Sequence, residues 1–129
     1  MTMEAGLKTY IGNVPGASGV SGRIYAMKLP QEPTFPAITF QRISTSHWGS
    51  QSGHSGVDDA RFQIDVWSGD PDEAATIGQA VSDSLDMKKW VGMGSTVVQF
   101  SDVQNERPIF EPDPGWDRYS IDVMLTYEG

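Results

Sequence analysis

Cysteine is absent from the 129-residue sequence. Its absence excludes disulfides, thiolate zinc sites and cysteine nucleophiles. The sequence also lacks any apolar run close to the roughly 18 residues that a membrane-spanning helix needs. The first ten residues lack the basic start and apolar centre of a signal peptide. These absences predict a soluble protein that is made in a reducing compartment and has no membrane partner.

Basic residues are scarce, because nine Lys and Arg stand against seventeen Asp and Glu, for a net charge of −8. The imbalance lies after residue 50, where five basic residues face fifteen acidic ones. A protein that grips nucleic acid needs clustered Lys and Arg to displace counterions. The acidic balance therefore argues against such a protein, and a solvated acidic surface explains it most simply.

The length predicts one domain, residues 1–129, with a single core. Two apolar alternations flank a long polar span. Ile38 and Phe40 alternate before the span, and Phe62, Ile64 and Val66 alternate after it. A period of two predicts half-buried strands, because successive side chains of a strand point to opposite faces.

A helix is predicted directly after the second of these strands. Asp70 suits the N-cap, Pro71 suits the first turn, and Glu73 stands where a capping box places its acid. The apolar residues that follow recur at helical spacing and form one stripe: Ala74, Ile77, Val81 and Leu85. A hairpin with a helix laid across it is therefore the predicted core.

The rest of the chain adds shorter elements. Periodicity and turn residues predict a helix at 3–11, strands at 23–27, 96–101 and 118–127, a polar turn at 102–107, a short extended piece at 109–110 and a turn at 112–115. Prolines at 30, 33 and 36 predict an extended crossover. Together these elements predict an α+β fold: an antiparallel sheet of three to five strands, one or two helices packed on one face, and a long hairpin loop.

That loop, Ser44–Asp59, is much longer than the two to five residues of an ordinary hairpin loop. It is rich in Ser, Gly and His, and it contains Trp48. An exposed aromatic residue tends to become buried in a partner, so we expect Trp48 to be a contact residue. Trp67, Trp90 and Trp116 are expected in the core or in crevices.

Histidine is scarce too, with only His47 and His54 in the chain. A metal site would combine both imidazoles with Asp58 or Asp59. The Gly- and Ser-rich setting fixes no ligand geometry and matches no known metal spacing. We therefore expect two solvent-exposed histidines and no metal.

No catalytic pattern is visible elsewhere. Helix capping explains the acids at 70–73, and an exposed helix face explains Asp83 and Asp86. G-x-S-x-G, a phosphate-binding loop and a dinucleotide fingerprint are all missing. The sequence predicts no cofactor and no enzymatic activity. A small metal-binding or hydrolytic protein is the alternative from another class.

Three segments in a fixed order resemble a known family. They are GRIY at 22–25, PAITFQRIS at 36–44 after the proline-rich stretch, and ARFQIDVWS at 60–68 leading into the helix. They are similar to segments of the tail completion, or tail terminator, proteins of long-tailed bacteriophages. The specific part of the resemblance covers residues 22–85, and none of its motifs is catalytic.

The resemblance implies a structural virion protein at the head–tail junction, assembled in the host cytoplasm. It implies a homo-oligomeric ring, usually of six copies, that caps the tail tube, ends tail growth and joins the tail to the head connector or stopper protein. Double-stranded DNA would only pass through the lumen, and an acidic lumen would not trap it. A head-side connector or adaptor of the phage neck is the main alternative role.

A ring of identical subunits joins two different patches of each copy. We expect the sheet edge, the proline segment and the long loop to supply these patches, and the loop to be mobile in the free subunit. The candidate interface residues are Pro33, Phe35, His47, Trp48, Gln51, His54, Asp58 and Asp59.

Overall fold

A computed structural model describes residues 3–20, 22–50, 53–94, 96–112 and 115–128, without the side chains of 18, 47–50 and 53–56. The helices are α1 (Met3–Gly12), a 3₁₀ helix (Pro15–Val20) and α2 (Pro71–Leu85). The strands are β1 (Ile24–Ala26), β2 (Ala37–Ser50), β3 (Gly53–Ser68), β4 (Lys88–Met93), β5 (Thr96–Glu111) and β6 (Trp116–Glu128).

The six strands form one sheet in the order β1-β2-β3-β6-β5-β4. β1 runs parallel to β2, and every other neighbouring pair is antiparallel. The predicted α+β fold, a largely antiparallel sheet with two helices, is thus confirmed in outline. The sheet has six strands rather than three to five, and it is mixed because β1 is parallel. The sequence missed β4 because most of its residues are exposed and therefore show no apolar alternation. It could not predict the parallel direction of β1, because that direction depends on the neighbouring strand, β2.

The predicted hairpin loop at Ser44–Asp59 is also wrong, because β2 and β3 continue through it. Ser46 pairs with Asp59, and the ladder runs on to the pair Ser50–Gly53. Likewise, the turn predicted at 102–107 lies inside β5. In both places the strand is formed by backbone hydrogen bonds to a neighbouring strand. These bonds do not require apolar side chains, so the sequence shows no apolar alternation there.

The core lies between the sheet and the two helices, on what we call the core face of the sheet. The alternation predicted for the last strand is confirmed, since its inward side chains are all at most 6% exposed: Tyr119, Ile121, Val123, Leu125 and Tyr127. α1 contacts both edge strands, β1 and β4, so the sheet curls around it. A Cβ on Gly6 of α1 would lie 2.2 Å from the carbonyl oxygen of Met93. Glycine in this helix thus permits a close approach to β4.

α2 begins as predicted, with one change in its capping. The Asp70 carboxylate accepts a hydrogen bond from the Asp72 amide at 3.1 Å. Glu73 does not reach back to the Asp70 amide directly. Instead the Ser68 hydroxyl donates to Glu73 Oε1 at 2.6 Å and accepts from the Asp70 amide at 3.0 Å. The Ser68 hydroxyl therefore links Glu73 to the Asp70 amide, which replaces the direct bond of a capping box. The predicted apolar stripe of α2 is buried.

Candidate assembly surfaces

The outer part of the β2–β3 hairpin forms an arm, which we define as residues 44–50 and 53–59. At ~3.3 Å per residue, 44–50 spans roughly 20 Å. β6 accompanies β3 only as far as the pair Val57–Glu128, so the two-stranded tip of the arm lies beyond it. The sequence contains no Asp, Glu, Lys or Arg from Ile43 to Val57. The arm is therefore long, polar and uncharged along most of its length.

Arg42 anchors the base of the arm to the body of the subunit. Its guanidinium donates to both carboxylate oxygens of Glu4 at 2.9 Å, and to the hydroxyls of Tyr127 and Thr45 at 2.9 Å. It also lies over the Phe62 ring, 5.2 Å from the centroid. The hydrogen bonds from Arg42 hold the pKa of Glu4 below its usual value. This node ties α1, β2 and β6 together where the arm begins.

Two predicted interface acids lie at the same base. Asp58 is buried, with 7% of its surface exposed, and Asp59 is half-buried. Asp59 Oδ1 accepts a hydrogen bond from the Thr126 hydroxyl at 2.5 Å. The Asp59 carboxylate therefore stabilises the pairing of β3 with β6 in its own subunit. The interface role of both acids stays a prediction.

The other predicted arm residues lie nearer the tip. His47 and Trp48 are in β2, and His54 is in β3. Gln51 lies outside the described residues. No group of three or more His, Asp or Glu residues in the described ranges could hold a metal ion. The segment predicted as a loop is thus a pair of strands, and the interface roles of His47, Trp48, Gln51 and His54 stay predictions.

The proline segment folds back on its own subunit. Phe35 makes an edge-on contact with Trp116 at a centroid distance of 5.0 Å, and Trp116 meets Trp67 at 6.1 Å. Phe35 and Pro33 are both half-buried. Trp67 and Trp116 are half-buried too, as expected for aromatic residues in a crevice. The interface roles of Pro33 and Phe35 stay predictions, and the contact that the structure shows for Phe35 is internal.

Arg118 extends this aromatic cluster into a charged network on the outer face of the sheet, opposite the core face. Its guanidinium lies over the Trp67 ring at 5.2 Å and donates to Glu111 at 2.6 Å. Asp65 stands 3.6 Å from the same guanidinium and accepts from the Gln63 amide at 2.9 Å. These contacts stabilise the end of the sheet where β5 turns into β6.

Trp90 contradicts the expectation of burial, because 70% of its surface is exposed. It lies in the edge strand β4 with a φ of 54°, in the left-handed region that residues with a Cβ rarely adopt. The β4–β5 pairing passes from Lys89 to Val91 and leaves Trp90 out. Its exposure follows from this edge position, which no local sequence signal revealed.

Acidic side chains gather on the solvent side of α2 and at its ends. The exposed carboxylates there are Asp70, Asp72, Glu73, Asp83 and Asp86. They account for much of the excess negative charge after residue 50. We call this surface the acidic face.

Glu106 links α2 to the sheet. It accepts hydrogen bonds from the Ser82 hydroxyl at 2.6 Å and from the Tyr119 hydroxyl. Burial of the Tyr119 phenol, together with the Glu106 carboxylate, raises the pKa of Tyr119 to about 12. The phenol thus stays protonated as a donor, which is a structural role.

The fold is a curled six-stranded sheet with two helices and a long, mostly uncharged arm. Among the described residues, no helix is long and apolar enough to cross a membrane. Sequence comparison matches residues 8–128 to the family described as "Tail completion protein gp17". The chain therefore belongs to this family of phage tail proteins, and it is a structural protein of the virion.

The fold itself has a relative of known structure. A chain in the structure titled "Virion of native gene transfer agent (GTA) particle" is similar over 98% of this chain and 95% of that chain. The TM-score is 0.78 at 13% sequence identity, so this likeness shows a shared fold. No curated protein matches the sequence significantly. The resemblance seen in the three sequence segments is thus confirmed as family membership.

Proposed function

We propose that the protein forms a ring, of six copies, that caps the tail tube, ends tail growth and joins the tail to the head connector. Membership of the tail completion family over nearly the whole chain is the observation that carries this proposal. The partners are further copies of the chain, the tail tube protein and a head-side connector or stopper protein. DNA passes through the lumen without being held.

The arm supports a role in contacts between chains. A two-stranded ribbon is marginally stable alone in water, and the arm tip has no third strand among the described residues. A cyclic ring joins one patch of each copy to a different patch of the next. The tip of the arm lies beyond the last pair of β3 with β6 and is therefore suited to contact a neighbouring copy or the tail tube.

The acidic face supports passage of DNA. We propose that it lines the lumen, where its carboxylates would repel the phosphates of passing DNA. Reversing two charges, Asp72→Lys with Asp83→Lys, should slow DNA ejection from otherwise complete particles. The control reverses two charges on the outer face, Asp102→Lys with Asp122→Lys, and should leave ejection unchanged. An assembled ring with a basic lumen would overturn this part of the proposal.

Electron microscopy of particles made without this protein tests the main proposal. Tails of uncontrolled length are the expected result, because nothing would end tube growth. Finished tails of normal length without heads would instead indicate a head-side adaptor. A metal ion bound stoichiometrically to the purified protein would contradict a purely structural role.

A shortened arm tests the part that the arm plays. Replacing residues 48–57 with Asn-Gly would close the hairpin at the pair His47–Asp58 with a tight turn and keep the buried Asp58. The variant should fold but fail to support tails of defined length with heads attached. Trp48→Ala is the matched point variant. Normal tail length and normal head joining in both variants would show that the arm makes no assembly contact.

A further inference from the structure

On each side of the sheet, a short edge strand covers only part of the longer strand next to it: β1 covers part of β2, and β4 covers part of β5. β1 pairs with β2 only at Ile38–Phe40, so the edge of β2 from Gln41 to Ser50 has no strand partner within the described chain. β4 pairs with β5 only at Thr96–Ser101. From Gln104 to Glu111 the outer edge of β5 is likewise unpaired in the described residues. The two open edges lie on opposite sides of the sheet and towards opposite ends of it.

The β2 edge has bulges at Arg42–Ser44 and Trp48–Gly49, but it lacks the charged and proline residues that usually blunt an open edge. Open edges are commonly blunted by Lys, by other charges or by Pro, because an unpaired edge recruits foreign strands. From Ile43 to Ser50 the strand contains none of these residues, and the charge of Arg42 is taken up by Glu4 within the subunit. An edge of this kind is expected to be paired in the assembled state.

The strand directions suit pairing between copies. β2, β3, β6 and β5 alternate in direction, so β5 runs opposite to β2 within one copy. All copies in a ring point the same way along its axis. If the strands tilt relative to the ring axis, as closure of a sheet requires, the β2 edge of one copy would face the β5 edge of its neighbour in antiparallel sense. β4 is shorter than β5, so it leaves a step beside Gln104–Glu111 where no described strand of the same copy lies.

Exposed apolar groups occur on both edges. Ile43 on the β2 edge is 48% exposed, and Phe110 on the β5 edge is 59% exposed. Beside Phe110 lies a groove of about 260 Å³, lined largely by apolar groups that include Pro71, Ala74 and Pro108. Strand addition at an open edge gains affinity from backbone hydrogen bonds and specificity from such side-chain pockets.

We propose that the β2 edge, Gln41–Ser50, of each copy pairs antiparallel with the β5 edge, Gln104–Glu111, of the next copy. The pairing makes one continuous sheet around the ring. This proposal rests on the ring proposed above, and it names the surfaces that join the copies. The occupant of the β2 edge is thus a second copy of this chain.

Cysteine cross-linking in assembled tails tests the pairing, and the absence of native cysteine makes every cross-link informative. Ser44 and Ser46 lie on the outer face opposite Arg61 and Asp59, and Asn105 and Arg107 lie on the same face of β5. Single variants Ser44→Cys or Ser46→Cys are mixed with Asn105→Cys or Arg107→Cys and oxidised. The best pair should give at least about fivefold more covalent dimer than the control, since facing Cβ atoms lie ~5 Å apart.

The control is Ser44→Cys mixed with Lys89→Cys on β4, and each single variant is also oxidised alone. Preferential cross-linking to Lys89→Cys would overturn the proposal, because it would place β4 at the interface. Rings without cross-links at the β5 positions would overturn it while leaving the ring itself standing. Tails in which no ring of this protein is present would overturn both.

Amide hydrogen exchange gives a second readout that needs no substitution. Amides of the two open edges should exchange at least about tenfold more slowly in the ring than in the free subunit. The amides of β4 serve as the internal control and should change little. Unchanged exchange at Gln104–Glu111 on ring formation would contradict the pairing.

Discussion

Gly78 of α2 lies against the ring of Tyr119 on β6, and a Cβ at Gly78 would stand only 2.1 Å from Tyr119 Cδ2. Gly78→Ala should therefore lower the free energy of unfolding by about 2 kcal/mol or more, as overpacked cores do. At a helix position with free space, Gly→Ala would instead raise the free energy of unfolding by about 1 kcal/mol. The sign of the measured change therefore tests whether Gly78 contacts the Tyr119 ring. Urea denaturation measures it. Thr76→Ala, on the exposed side of α2, is the control and should change stability by less than about 0.5 kcal/mol.

Tyr119 should make the free energy of unfolding decrease at alkaline pH. Its pKa rises from 10.0 unfolded to about 12 folded, so the native state keeps a proton that the unfolded chain loses. Its contribution is fully present below pH 10 and is lost as the pH rises towards 12. Urea denaturation from neutral pH upwards should show this loss in the wild type, and Tyr119→Phe should show less of it. Equal alkaline losses in both proteins would contradict the assignment.

The stabilisation from the ion pair between Glu4 and Arg42 should be lost at acidic pH. The folded pKa of Glu4 lies below 4.5, so its stabilisation is present above that pH and is lost as the pH falls through the folded value. Glu4→Gln should cost about 1 kcal/mol at neutral pH, because the pair is partly solvent-exposed. The difference from wild type should shrink below pH 4.5. Glu32→Gln, at an exposed acid, should have a smaller effect at every pH, and a constant difference for Glu4→Gln would count against the pair.

Trp90 adds strain to β4 without adding burial. Its left-handed backbone costs roughly 1 kcal/mol for an ordinary residue, and Asn tolerates that region better. Trp90→Asn should therefore leave the free energy of unfolding unchanged or raise it by up to about 1 kcal/mol. Trp67→Asn is the comparison, because Trp67 donates to the Thr39 hydroxyl at 2.9 Å and packs on Trp116. It should destabilise clearly in thermal unfolding, and a marked loss for Trp90→Asn would show that Trp90 supports the free subunit.

The elements that the sequence predicted well are those that bury one face. α2 was predictable because Asp70 and Pro71 mark its start and its apolar stripe has a helical period. The final strand was predictable because alternate residues from Tyr119 to Tyr127 face the core. For the same reason the family segments were recognisable, since they are mostly core and strand positions.

Tertiary structure decided the conformation of the segments that bury few side chains. The arm, β4 and the second half of β5 are strands because their backbones bond to neighbouring strands, and their side chains mostly face water. The parallel sense of β1, the exposure of Trp90 and the internal packing of Phe35 are likewise decided by neighbours distant in sequence. Local sequence records a burial pattern, whereas pairing at an edge depends on which strand lies beside it. The sequence therefore determined the core and the family, and only the fold revealed the arm and the two open edges.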